Sequence, residues 1–361
     1  MKKLVTLLLS LANVGLAATK KNFIIDTDLF SDVDDAGALL LAATSPDVNL
    51  LAVNVNYPSS FSALAASALL SHYGKAHVPI GSPRPLTNAT FFDRYYFDLG
   101  EYASKVAYHY SGGSLPWGHA DNAWDPVALY RKVLAEAEDG SVTIASIGFL
   151  DNLSALLNST ADASSPLSGR DLVSLKVSEL VVMGGSYPSG GPSWNFFGSN
   201  ASLAAHVVNT WTGPGRMVFA GDDVGKHALT GGPLMAEGPE ADPVGRAYIW
   251  YGYHRPRPSW DPLAVWYAIH GLGKLFEYGN EGGSGYNFVE ADGSNRWVAD
   301  ETVRNQFFLR LKVANETAAE EIDRLFLEGA LLAASGRGTE RAKQSSSLLP
   351  CRSCHGGREE L

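Results

Sequence analysis

Apolar, β-branched runs at residues 23–25, 50–55, 142–147, 180–183 and 217–220 alternate with stretches whose hydrophobic positions recur at helical spacing. That spacing predicts helices over residues 35–43, 61–73, 126–137, 153–158, 203–208, 262–269 and 318–333. Strands alternating with helices are the pattern of an α/β protein. The expected fold is therefore an open, Rossmann-like, mostly parallel sheet with helices on both faces.

Several of the predicted strands end in polar or glycine-bearing turns: Asp26 and Asp28, Asn54 and Asn56, Gly148 to Asn152, Gly184 and Gly185, and Gly221 and Asp222. In open α/β sheets the ligand crevice lies beyond the carboxyl ends of the strands, so the sequence gathers polar groups on one edge. Residues 91–124 and 251–260, rich in Tyr, His and Trp, read as insertions or lids that pack on the core or stack against a planar ligand. No linker or internal repeat divides residues 19–333, which read as one catalytic domain.

The densest chemistry lies between the first strand and the first helix. Asp26, Asp28, Asp32, Asp34 and Asp35 place five carboxylates within ten residues. In a partly buried site such neighbours repel strongly and persist only if some are protonated or a hard cation neutralises them. Oxygen ligands favour calcium or magnesium over zinc. Asp34 is also a plausible helix N-cap, but capping explains one or two acids and not five. An EF-hand does not fit, because Ala43 stands where its loop needs a bidentate Glu.

Composition narrows the class of ligand. The chain has 361 residues, 45% hydrophobic and 18% charged, with a formal net charge of -10, enough to bury a sizeable core. An acidic protein offers no general attraction to nucleic acid or to an anionic membrane, which leaves small neutral substrates. Lys2 and Lys3, an apolar stretch and small residues near Ala18 fit a secretory signal over residues 1–18, so the expected destination is extracellular. No later segment is apolar for long enough to span a bilayer. Sequons begin at Asn88, Asn152, Asn158, Asn200 and Asn315, compatible with a glycoprotein, although Asn152 is expected to remain unmodified, since a glycan would obstruct any pocket that it supports. The two cysteines, Cys351 and Cys354, cannot staple the fold. With His355 they match a haem-attachment spacing, yet they sit in residues 334–361, which read as a disordered tail.

At this point the motifs resemble the inosine-uridine preferring nucleoside hydrolase family. Asp26-Thr27-Asp28 followed by Asp34-Asp35-Ala36-Gly37 is similar to its amino-terminal signature. Gly148-Phe149-Leu150-Asp151-Asn152, Val182-Met183-Gly184-Gly185, Trp194-Asn195-Phe196 and Trp260-Asp261-Pro262 resemble further family segments in the same order. The resemblance implies a nucleoside hydrolase fold and a Ca2+ ion held by Asp28, Asp35 and Asp261, with a backbone carbonyl near Asp151 as a further ligand. It implies Asp28 as general base toward a calcium-bound water that attacks the anomeric carbon of a ribosyl substrate. Asp34, Met183, Asn195 and Trp260 fall at substrate-binding positions, and a homo-oligomer is the family's usual assembly. Three departures stand out. The interval between Asp28 and Asp34 is longer than usual, Ser193 stands where a ribose-binding Glu is common, and Trp260 replaces a His that protonates the departing base. His254, His109 and His119 are the alternative proton donors.

Two other readings compete. Asp26-Thr27-Asp28 with Gly221-Asp222-Asp223 resembles the haloacid dehalogenase layout of a magnesium-dependent phosphatase, with the first Asp as nucleophile. A secreted protein that binds a sugar or nucleoside with little or no turnover would also tolerate the changes at Ser193 and Trp260.

Overall fold

The computed structural model describes residues 20–92, 99–211 and 215–347. The expected signal segment and the Cys351–Cys354 motif lie outside the described residues, as do positions 93–98 of the expected aromatic insertion.

In chain order the strands are β1 (Lys21–Thr27), β2 (Val48–Val55), β3 (Ile80–Gly81), β4 (Val142–Ser146), β5 (Val177–Met183), β6 (Gly191–Pro192), β7 (Arg216–Ala220), β8 (Leu229–Thr230), β9 (Arg257–Pro258), β10 (Phe276–Tyr278), β11 (Tyr286–Val289), β12 (Ser294–Val298) and β13 (Gln306–Leu311). Eight of them form one sheet in the order β10-β13-β7-β5-β4-β1-β2-β3. All its pairings are parallel except β10 with β13, which is antiparallel. The α/β architecture expected from the sequence is thus present, and its five long strand runs are β1, β2, β4, β5 and β7. The edge strands β3 and β10, and β13 next to β10, were not anticipated; β3 and β10 are two and three residues long, and β13 is fully buried only at Phe308 and Leu309, so none is a long buried apolar run.

The helices are α1 (Asp34–Thr44), α2 (Ser60–His72), α3 (Ala103–His109), α4 (Pro126–Glu136), α5 (Asp151–Leu157), α6 (Gly169–Lys176), α7 (Trp194–Phe197), α8 (Ala201–Thr210), α9 (Asp222–Gly225), α10 (Gly232–Glu237), α11 (Pro243–Gly252), α12 (Trp260–His270) and α13 (Asn315–Ser347). Side chains alternate across each central strand. Phe23, Ile25, Val53, Ala145, Val181 and Val218 join a core with α1, α2, α11, α12 and α13. Ile24, Ala52, Ile144, Leu180, Val182 and Phe219 join a second core, on the other face, with α4, α5, α6 and α8. Strands covered on both sides have no polar face, which is why their sequences read as apolar runs rather than as alternations.

Parts of the two expected lids belong to the core. Tyr102, Ala103, Val106 and Tyr251 are buried with α2 and α11, so α3 is a structural helix. It was missed because seven residues are too short to establish helical periodicity. At the other end, α13 runs on to Ser347, into the stretch expected as tail.

Three of the helices expected from sequence, α2, α4 and α8, carry a side-chain cap of their own. Asp125 caps α4 ahead of Pro126, and the side chain of Ser59 caps α2. Neither α1 nor α12 has a side-chain cap at its own N-cap position. These two helices pack together, and the backbone of α9 lies hard against the start of α12. A Cβ on Gly225 would fall 2.4 Å from Trp260 Cα. Gly225→Ala must therefore displace backbone rather than a flexible side chain. It is expected to cost about 1–3 kcal/mol in thermal or denaturant unfolding; an unchanged stability would show that α9 and α12 are not locked at this contact.

Candidate metal centre and substrate crevice

The five clustered acids have different fates once the chain folds. Asp26, fully buried at the end of β1, accepts from Tyr130 Oη at 2.7 Å and from the amides of Asn56 and Asn152. Burial pushes its pKa up to about 7, and these donors restrain the rise. It knits β1 to α4, α5 and the turn after β2. Asn152 Nδ2 also donates to the Val55 carbonyl at 3.1 Å, so the sequon nitrogen is buried and engaged. Asp32 is paired with Arg257, whose Nε lies 2.9 Å from both carboxylate oxygens. One acid is thus satisfied by neutral donors and one by a cation.

The remaining three, Asp28, Asp34 and Asp35, are buried and accept from neutral donors only. Asp34 Oδ2 accepts from the backbone N–H groups of Trp260 at 3.0 Å and Asp261 at 3.1 Å. Asp34 therefore caps α12, a helix distant in sequence, rather than its own. Asp35 accepts from Thr27 Oγ1, while its Oδ2 is buried with no hydrogen-bond partner. Ser31 Oγ donates to Asp28 Oδ2 at 2.9 Å. Because Asp34 holds the first amides of α12, Asp261 joins them: ligand atoms of Asp34, Asp35 and Asp261 all lie within 4.8 Å of one another.

Burial, and then the neighbouring carboxylates, push Asp34, Asp35 and Asp261 well above the ordinary carboxylate range. Asp28 is pushed up to about 7, chiefly by burial, and Ser31 partly offsets this. Two helix N-termini, those of α1 and α12, face these acids and stabilise negative charge. That partial charge does not neutralise several ionised carboxylates in contact. A divalent cation would, and the orphaned Asp35 oxygen is the kind of atom that one satisfies. The donor set is all oxygen, which suits calcium or magnesium.

The positions predicted from sequence fall as follows. Asp35 and Asp261 meet as expected, and Asp34, expected at the sugar, belongs to the same group. Asp28 is outside that tight trio but close enough to act electrostatically on Asp35 and Asp261. The carboxylate of Asp151, at the start of α5, accepts from Ser199 Oγ at 2.8 Å and is not part of the trio. Asn195 and Met183 meet: Asn195 Nδ2 donates to the Met183 carbonyl at 3.1 Å, between the start of α7 and the carboxyl end of β5. Trp260 lies beside the acids, and its indole N–H donates to the Asp222 carbonyl at 2.7 Å, so this N–H is engaged. His254, His109 and His119 are exposed. His254 has a left-handed backbone after α11, and His109 lies 5.5 Å from the Trp250 ring.

Other residues at the crevice were not singled out in the sequence. Tyr57 lies between Phe30 at 4.7 Å and Phe149 at 5.4 Å, and Phe149 lies 6.1 Å from the half-exposed Trp194. These rings come from four separate segments, so no local pattern marks them. Arg257 packs over the rings of Tyr251 and Trp260 at 5.5 and 5.6 Å. A cation three residues before Trp260-Asp261-Pro262 was a usable signal for the partner of an acid.

The haloacid dehalogenase layout fails on this geometry. Asp26, its required nucleophile, is fully buried and surrounded by Tyr130, Asn56 and Asn152, and Asp222 is bound to Ser193.

A mostly parallel α/β sheet carries at its carboxyl edge a buried acid trio that could hold a metal ion, and the comparisons give the chain a family. Residues 23–319 match the sequence profile described as "Inosine-uridine preferring nucleoside hydrolase". The chain belongs to that family. The described fold is similar to an inosine-uridine preferring nucleoside hydrolase from Bacillus anthracis, with TM-score 0.57 and 17% identity over 85% of this chain and 99% of that one. It is also similar to a plant nucleoside hydrolase, with TM-score 0.60, 16% identity and coverage of 86% and 98%. An inosine-guanosine nucleoside hydrolase gives TM-score 0.59, 18% identity and coverage of 85% and 98%. An uncharacterised protein of Schizosaccharomyces pombe is 29% identical over 169 residues, 45% of this chain; the match spans about half of that relative, 48% of its length.

The raised acids determine how stability responds to pH. A carboxylate whose folded pKa lies above its unfolded value near 3.8 contributes stability that is complete below that value and is lost as pH rises through the folded one, about 7 for Asp28. A cation binds the ionised form and opposes the loss. Added calcium should therefore raise the melting temperature more at about pH 8 than at about pH 5. Equal shifts at the two pH values, or none, would contradict a metal centre built from these acids.

Proposed function

We propose that this protein hydrolyses the N-glycosidic bond of ribonucleosides or related ribosyl compounds, with calcium at the acid trio and Asp28 as general base. The observation that carries the reading is the convergence of Asp261 with Asp34 and Asp35, which leaves Asp35 Oδ2 buried and unpartnered. Asp34, Asp35 and Asp261 would hold the ion, with Asp28 beside them. A bound calcium ion lowers the pKa of water and so supplies a nucleophile at neutral pH.

The chain's own residues do the rest. Ser31 fixes one oxygen of Asp28 and so orients the carboxylate that takes the proton from the attacking water. Asn195, held by the Met183 carbonyl, and Asp34 would position the sugar hydroxyls. The Phe30–Tyr57–Phe149–Trp194 aromatic series offers faces for a planar base. The engaged Trp260 indole is not assigned a proton-transfer role, and His254 is the candidate donor to the departing base. The reading includes export through residues 1–18, with Asn152 left unglycosylated.

The test is a panel of nucleosides incubated with purified protein, with and without chelator, and assayed for free base and ribose. Release should require calcium. Asp28→Asn should lower the rate by about 10²–10⁴, and Asp261→Ala should abolish both release and calcium-dependent stabilisation. Full rate in Asp28→Asn would remove Asp28 as base. Calcium and nucleoside binding with no release from any substrate would identify a binding protein instead.

A further inference from the structure

Asp222 is a carboxylate that the catalytic scheme above leaves without a task. It follows β7 directly and opens the one-turn helix α9, where it makes no N-cap hydrogen bond that would account for an acid. Ser193 Oγ donates to its Oδ1 at 2.9 Å. Its second carboxylate oxygen has no hydrogen-bond partner among the described residues. The side chain is half-buried, and burial, with Asp223 alongside, pushes its pKa up to about 6. A single hydroxyl is the one side-chain donor to this carboxyl among the described residues, so its second oxygen is open to a ligand's donor.

Its surroundings show what would complete it. Ser193 is two residues from Asn195, which is held at the ends of β4 and β5 by the Ile147 and Met183 carbonyls. On the other side, Trp260 bridges Asp222 to the acid trio: its indole N–H reaches the Asp222 carbonyl while its backbone N–H reaches Asp34. Asp222 is thus joined through Ser193 to the short helix that carries Asn195 and through Trp260 to Asp34, the two residues placed at the sugar. Lys226, the cation acting on it, is exposed and makes no hydrogen bond to it among the described residues. An uncharged polyhydroxyl ligand presents the donor that the second oxygen lacks.

We infer that Asp222, oriented by Ser193, is a substrate-binding residue that accepts a hydrogen bond from one hydroxyl of the sugar and so selects for ligands carrying it. The inference rests on the ribosyl-hydrolase reading and names a residue of that site. A carboxylate–hydroxyl hydrogen bond discriminates between ligands, because one without the hydroxyl loses it and leaves this acceptor unpaired under the bound sugar.

The experiment compares wild type with Asp222→Asn, each loaded with calcium, on a ribonucleoside that wild type cleaves and on its 2′-, 3′- and 5′-deoxy analogues. Melting temperature and calcium affinity are measured on both proteins to confirm an intact fold. Asp222→Asn should lower kcat/KM on the parent by about 10- to 100-fold. The loss should shrink to less than about 3-fold with the one analogue that lacks the contacted hydroxyl. Ser193→Ala should show the same analogue dependence with a smaller loss, because it removes the orientation and not the acceptor. A loss equal across the parent and all three analogues, or no loss, would overturn the role of Asp222 while leaving the hydrolase reading in place. No cleavage of any nucleoside by calcium-loaded wild type would overturn the hydrolase reading, and this inference with it.

Discussion

The hydrogen bonds from the Trp260 and Asp261 amides to Asp34 Oδ2 hold the functional edge of this molecule together. They join the N-terminus of α12 to the first turn of α1, two helices that lack side-chain caps of their own. Charge-assisted bonds to a helix N-terminus are among the stronger uses of a carboxylate. Here the bond also fixes position, because it sets Asp261 against Asp35. The helix contact and the acid trio are therefore one arrangement. The contact joins the front of the chain to its later part, and the buried trio that it assembles could bind a metal ion.

The remaining crevice is arranged around that tie. β1 delivers Asp28 and Asp26 two residues apart, yet their environments separate them: Asp26 is surrounded by neutral donors, while Asp28 meets Ser31 and other acids. Arg257 takes Asp32 out of the cluster. Membership of the nucleoside hydrolase family thus comes with a division of labour among five neighbouring acids. Asp26 is held by neutral donors, Asp32 is ion-paired with Arg257, Asp34 caps α12, and Asp28 and Asp35 accept from Ser31 and Thr27.

Much of this was legible before any coordinates. The five strands covered on both faces gave continuous apolar runs, and the acids were conspicuous by density. The meeting of Asp35 with Asp261 was expected from the family resemblance of the ordered motifs. The pairing of Asp32 with Arg257, the Tyr130–Asn56–Asn152 cradle around Asp26 and the Asp222–Ser193 contact were not legible, because each joins residues brought together only by tertiary packing. α3 and the edge strands were missed for a different reason: they are too short for a period to show. Asp34 shows the limit of local rules most clearly, since a residue that reads as a cap for α1 caps α12.

The most direct test is the anomalous difference density of a crystal of the calcium-loaded protein. The account predicts one strong calcium peak within coordination distance of carboxylate oxygens of Asp35 and Asp261. A calcium-loaded crystal with no peak between those two side chains, or with Asp261 turned away from Asp35, would contradict it.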